Sequence, residues 1–135
     1  MADLSVDLGF CTLKNPVITA SGTFGYGEEF LPFFDLDLLG AVVMKGIFKE
    51  PRLGNPPPRL HETPAGLLNS IGLAGPGSAA LQEIIRRLHA RTPVPVIVNV
   101  CGQDDDEFAE VAEIFSDMDE VAMLELNISC PNVRL

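Results

Sequence analysis

Four short apolar runs, each closing on small or polar residues, constrain this chain more than any other feature of its sequence. Residues 16–20 (PVITA) lead into Ser21-Gly22, and residues 40–44 (GAVVM) into Lys45-Gly46. Residues 94–100 (VPVIVNV) carry Asn99, and residues 121–128 (VAMLELNI) run into Ser129-Cys130-Pro131-Asn132. Runs that are apolar on both faces are expected of strands buried in a parallel sheet. Between them lie helical patterns. Leu81, Ile84, Ile85 and Leu88 recur at helical spacing over Ser78 to Arg91, and Pro93 stops the helix. Asp104 followed by Glu107 resembles a capping box, opening a helix through Ser116 with Phe108, Val111, Ala112 and Phe115 on its inner face. A short helix limited by Pro32 is expected over 28–34.

The order β-α-β, excursion, α-β-α-β implies a parallel α/β sheet with right-handed crossovers. The excursion, residues 46–77, is rich in proline and glycine but carries Leu60, Leu67, Leu68, Ile71 and Leu73, so it is expected to be ordered and to lie over the mouth of the fold. Gly22, Gly25 and Gly27 do not form the G-x-G-x-x-G fingerprint of a doubly wound dinucleotide-binding sheet. A (β/α)8 barrel normally needs about 250 residues, and four strands in 135 residues are about half of one. In a barrel, the weakly alternating segment 4–13, broken by Gly9, would be a small hairpin closing the bottom. Pattern and composition leave a complete small sheet and half a barrel both open.

Composition excludes several classes. The formal charge is -10, and ten acidic residues with no basic one lie between Asp104 and Glu125. Such a run reads as a solvated face and is poor material for a nucleic-acid surface. No apolar run reaches membrane-spanning length, and no basic region precedes an apolar stretch at the N-terminus, so a cytoplasmic protein without a membrane is expected. The three cysteines, Cys11, Cys101 and Cys130, are odd in number and none are spaced C-x-x-C. His61 and His89 are far from them in sequence. Neither a disulfide framework nor a metal site is expected.

Ligands of parallel α/β folds sit at the carboxyl ends of the strands. That edge would here present the amine of Lys45, the thiol of Cys130, the amides of Asn99, Asn127 and Asn132 and the hydroxyl of Ser21. This set suits a planar, amide-rich ligand with an anionic part. Each residue also has a plain structural use: Asn99 and Asn127 as turn caps, Cys130 as a small hydrophobe, Lys45 as a solvated strand end. Two observations favour function. A lysine closing an apolar strand has costly surroundings unless paired, and Cys130 precedes a proline in a loop beside Ser129 and Asn132. Cys11 and Cys101 lack such company and read as structural, and His61 and His89 as surface or loop residues.

Taken in series, these segments resemble the dihydroorotate dehydrogenases. Asn15-Pro16-Val17 through Ala20-Ser21-Gly22-Thr23-Phe24-Gly25 resembles the opening strand and loop, and Lys45-Gly46 the end of the second strand. Arg52-Leu53-Gly54-Asn55-Pro56 and Pro58-Arg59 before Glu62-Thr63 resemble the excursion. Residues 66–73 (GLLNSIGL) resemble the substrate loop. Val98-Asn99-Val100 and residues 125–132 (ELNISCPN) complete the set. The resemblance implies an FMN-binding (β/α)8 TIM barrel of which about the first four β/α units are present. It implies oxidation of (S)-dihydroorotate to orotate in pyrimidine biosynthesis. Cys130, rather than serine, is similar to class 1. Lys14-Asn15-Pro16, residues 25–28 (GYGE) and Glu62-Thr63-Pro64 are similar to type B, in which NAD is reached through a separate iron–sulfur flavoprotein subunit carrying FAD and a 2Fe-2S cluster. Type A, which uses fumarate, is the runner-up.

By the same resemblance Ala20, Ser21, Gly22, Lys45, Asn99 and Asn127 would contact FMN. Lys45, Asn69, Ser70, Ile71, Gly72, Leu73, Asn127 and Asn132 would contact dihydroorotate, and Cys130 would remove the C5 proton. The chain has Gly75 where the family usually carries asparagine. A homodimer of catalytic subunits is implied, and so is a missing second half holding the flavin phosphate, without which the 135-residue chain is expected to be inactive. The alternatives are an FMN barrel of the dihydropyrimidine dehydrogenase type and a non-catalytic half-barrel.

Overall fold

The computed structural model describes residues 2–128. Cys130 and Asn132, like Ser129, lie outside the described residues. The elements are β1 (Val6–Asp7), β2 (Thr12–Leu13), 3-10 turns at Glu28–Phe30 and Leu36–Leu38, β3 (Val42–Val43), β4 (Leu60–Thr63), β5 (Gly66–Asn69), α1 (Ser78–His89), β6 (Val96–Val100), α2 (Asp105–Ser116) and β7 (Val121–Leu126). The main sheet runs β3-β6-β7, parallel throughout.

Alternation along β6 divides the core. Val96, Val98 and Val100 pack with Leu81 and Ile85 of α1 and with Val111 and Phe115 of α2. Ile97 faces the other way, with Val43, Ala41 and Leu13, against Val6, Cys11 and Met123. The antiparallel β1–β2 hairpin, Val6 opposite Leu13, therefore covers the helix-free face of the sheet at the level of Ile97, two residues before Asn99. This agrees with a hairpin closing the end away from the strands' carboxyl termini.

Both helices match their expected positions within two residues. Asp104 caps α2 by accepting the Glu107 N–H at 2.9 Å. The reciprocal half of the expected capping box is shifted: the Glu107 carboxylate accepts the N–H of Gln103 at 2.9 Å and that of Lys49 at 3.3 Å. Glu107 thereby ties the start of the excursion to α2, and the exposed Lys49–Glu110 ion pair lies alongside. At α1 no side chain caps Gly77; Ser78 instead donates both its N–H and its hydroxyl to the Lys49 carbonyl, each at 3.0 Å.

Two expectations need correction. Residues 16–20 do not form a strand, only an isolated parallel bridge, Ile18 to Ala41. Pro16 has no N–H to donate, the Val17 N–H is taken by the Asn15 side chain at 2.9 Å, and the Val43 N–H goes to the Thr19 hydroxyl at 2.8 Å where a ladder would use a carbonyl. The short helix at 28–34 is a single 3-10 turn followed by turns, and a second such turn, capped by Asp35, stands at Leu36–Leu38. The excursion is ordered as expected, and contains the unanticipated β4–β5 hairpin, paired from Leu60–Asn69 to Thr63–Gly66. No helix among the described residues is long and apolar enough to cross a membrane.

Candidate functional site

The carboxyl ends of β3, β6 and β7 meet at Asn99. Its side chain is 3% exposed. Its Oδ1 accepts from Asn127 Nδ2 at 3.1 Å and from Cys101 Sγ at 3.7 Å, and its Nδ2 donates to the Glu125 carboxylate. A buried amide satisfied on both sides is held in one orientation. Gly46 makes this possible. A Cβ there would lie 2.7 Å from Asn99 Oδ1 and 2.7 Å from Cys101 Sγ, so only glycine lets the strand after Lys45 run this close to the amides. Cys101, read from sequence as structural, is buried beneath them.

Next to this cluster the loop 20–22 is tied to the end of β3. The Ser21 hydroxyl donates to the Met44 carbonyl at 3.0 Å, the Thr23 hydroxyl to the Ala20 carbonyl at 2.7 Å, and the Lys45 N–H to the Gly25 carbonyl at 2.9 Å. Gly22 and Lys45 then form one wall of a cleft of about 430 Å³. Its other walls are Asn69, Ser70, Ile71, Gly72 and Leu73, together with Arg52 and Asn55. That volume is within the roughly 300–1,000 Å³ of small-molecule sites. Seven of the residues singled out in the sequence thus share one cleft, although they come from three separate segments. Asn99 and Asn127 form the adjoining pair behind Gly46.

Arg52 and Asn55 were not among the expected site residues. Asn55 holds the far wall in place: its Nδ2 donates to the Ser70 carbonyl at 3.0 Å and the Ser70 hydroxyl at 2.8 Å, and its N–H to the Ile71 carbonyl at 2.9 Å. Gly54, at φ 75°, brings Asn55 in so closely that a side chain there would run into the Ile71 carbonyl. The backbone of Arg52 exchanges hydrogen bonds with Gly75 in both directions, at 2.9 and 3.0 Å. The residue that departs from the resembled pattern therefore sits in a paired segment. Glu125 was also missed. Its spacing of two from Met123, in an otherwise apolar strand, was the signal that it faces Asn99.

Tyr26 stands behind the cleft. Its hydroxyl is buried without a hydrogen-bond partner among the described residues, 3.3 Å from where a Cβ on Gly75 would lie. Burial pushes its pKa up to about 12, with the charges of Glu29 and Cys101 adding to the effect.

The sequence model of dihydroorotate dehydrogenase matches residues 3–135. The catalytic subunit of dihydroorotate dehydrogenase B (NAD(+)) from Desulforudis audaxviator is 53% identical over 131 residues, covering 96% of this chain and 42% of its own. The subunit of the same name from Geobacillus kaustophilus is 50% identical over 135 residues, covering 99% and 43%, and that from Bacteroides fragilis is 46% identical over 134 residues, covering 99% and 44%. Among solved structures, DHODH from Eimeria tenella in complex with ferulenol superposes with a TM-score of 0.76 at 25% identity, covering 98% of this chain and 38% of its own. The chain spans less than half the length of the curated relatives it matches.

Proposed function

Because the chain belongs to the dihydroorotate dehydrogenase family, we propose that residues 1–135 form the N-terminal half, about the first four β/α units, of an FMN-binding (β/α)8 barrel that oxidises (S)-dihydroorotate to orotate. The observation that carries this reading is the convergence of Lys45, Asn69 and the loop 70–73 on one cleft beside the Asn99–Asn127 amide pair.

The donor set fits the cofactor. A flat heterocycle bearing carbonyls and ring nitrogens is matched by paired carboxamides at strand ends and by the backbone of Ala20, Ser21 and Gly22, which the Ser21–Met44 hydrogen bond holds against β3. FMN, when bound, supplies the acceptor for a hydride.

The chain's own residues do the rest. Asn69, Asn127 and Asn132 hold the amides and carboxylate of the dihydropyrimidine, and residues 70–73 offer backbone groups. The ammonium of Lys45 faces the substrate carboxylate and stabilises negative charge that builds during the reaction. Cys130 takes the C5 proton as hydride departs from C6, leaving the C5–C6 double bond of orotate. That proton lies next to a carbonyl, and a thiol with an ordinary pKa of about 8.5 provides usable thiolate near neutral pH.

The names of the relatives favour type B, in which electrons pass to NAD through a separate iron–sulfur flavoprotein subunit with FAD and a 2Fe-2S cluster. We take the catalytic subunits to pair as a homodimer in the cytoplasm. Adding dihydroorotate anaerobically to the FMN-loaded enzyme that carries this sequence should bleach the flavin absorbance, while dihydrouracil should not. Bleaching by dihydrouracil alone would assign the site to a dihydropyrimidine dehydrogenase, and no bleaching by either would leave a non-catalytic barrel.

A further inference from the structure

Arg52 is a cation in the cleft that neither the resemblance nor the relatives' names assign. In a chain of net charge -10, most basic side chains are spoken for. Lys14 pairs with Asp37, Lys49 with Glu110, Arg86 with Glu83 and Arg87 with Glu28, while Arg59 donates to the Leu53 carbonyl. Arg52 and Lys45 both line the cleft, and neither has a carboxylate partner among the described residues. Two uncompensated positive charges in one concavity make a site for an anion.

The arginine is also held in place before any ligand arrives. Its backbone is bonded to Gly75 in both directions, and its guanidinium carbon lies 4.2 Å from the ring centroid of Phe48, which is 3% exposed and so a fixed platform. That cation–π contact attracts the guanidinium to the ring without using up its N–H donors. Arg bonds a carboxylate through two parallel N–H groups, a geometry Lys cannot match.

We propose that Arg52 is a specificity-determining residue, reading with Lys45 the carboxylate that distinguishes dihydroorotate from neutral dihydropyrimidines. The proposal rests on the function given above. It assigns Arg52 to recognition and not to proton or hydride transfer.

The test is titration of the FMN-loaded enzyme with orotate, followed through the flavin absorbance, for wild type, Arg52→Gln and Arg52→Lys. Orotate methyl ester, which keeps the ring and loses the charge, is the control ligand. Arg52→Gln should weaken orotate about tenfold or more, and Arg52→Lys less. The ester's affinity, the FMN content and the melting temperature should match wild type in both variants. Added salt should narrow the gap between wild type and Arg52→Gln. Wild-type affinity for orotate in Arg52→Gln would overturn the proposal alone, and so would equal losses for acid and ester. Failure of the wild-type enzyme itself to bind orotate would overturn the function and this proposal with it.

Discussion

Asn127 donates its side-chain amide to the side-chain oxygen of Asn99 at 3.1 Å, joining the carboxyl ends of two neighbouring parallel strands. Four residues from three segments take part in that contact. Glu125 holds the other end of the Asn99 amide, and Gly46 leaves the space both amides occupy.

The space is testable. Gly46→Ala places a methyl 2.7 Å from both Asn99 Oδ1 and Cys101 Sγ. Overpacking of this kind typically costs about 1–3 kcal/mol. We expect a lower denaturation midpoint and loss of FMN on gel filtration, because the methyl pushes apart the amides proposed to hold the flavin. Wild-type FMN retention by this variant would show that the amide pair is not part of the cofactor site.

Asn55 is expected to act locally. Asn55→Ala removes two hydrogen bonds to Ser70, each worth about 1 kcal/mol. The Ser70 N–H, bonded to the Arg59 carbonyl at 2.9 Å, should then exchange with solvent about tenfold faster or more. Amides of β6 should exchange at the wild-type rate, as measured by hydrogen exchange.

Tyr26→Phe should stabilise the protein by about 1 kcal/mol, since it removes a buried hydroxyl that has no partner among the described residues. The pH dependence has a definite sign. Folding raises the Tyr26 pKa from 10.0 to about 12, so in that window the unfolded chain gives up the proton first. Wild-type stability therefore falls as pH rises from 10 toward 12. Denaturant melts across this range should show a shallower alkaline decline in Tyr26→Phe.

The helix cap gives a test independent of the site. Asp104→Ala deletes the acceptor of the Glu107 N–H and should cost about 1 kcal/mol. Its effect should appear in global unfolding, with orotate affinity unchanged.

The parts of this fold that were legible in the sequence are those governed by periodic burial. Leu81, Ile85 and Leu88 give α1 one apolar stripe, and β6 is buried along its whole length. Less legible were the places where a side chain replaces a backbone group. Thr19 takes the Val43 N–H and turns an expected strand into a bridge. The β4–β5 hairpin is largely exposed, with Leu60, Leu67 and Leu68 in solvent, and its Pro64-Ala65 turn carries no Asn-Gly or Asp-Gly signal. Lys45 was legible as the end of an apolar strand, and Asn69 only through the resemblance of residues 66–73. Arg52 and Asn55 lay in a segment noted only for its resemblance, and their roles follow from long-range pairing with residues 70–75. No local pattern encodes such pairing.

Dihydroorotate oxidation at this strand-end rim, with Cys130 as the base, remains the proposal on which the other roles depend. Stopped-flow reduction of the FMN-loaded enzyme by dihydroorotate, wild type against Cys130→Ser, tests it most directly. General-base catalysis contributes roughly 10²–10⁴-fold. Reduction should slow by at least the lower of these factors while orotate still perturbs the flavin spectrum at its wild-type affinity. A reduction rate unchanged by the substitution would contradict it.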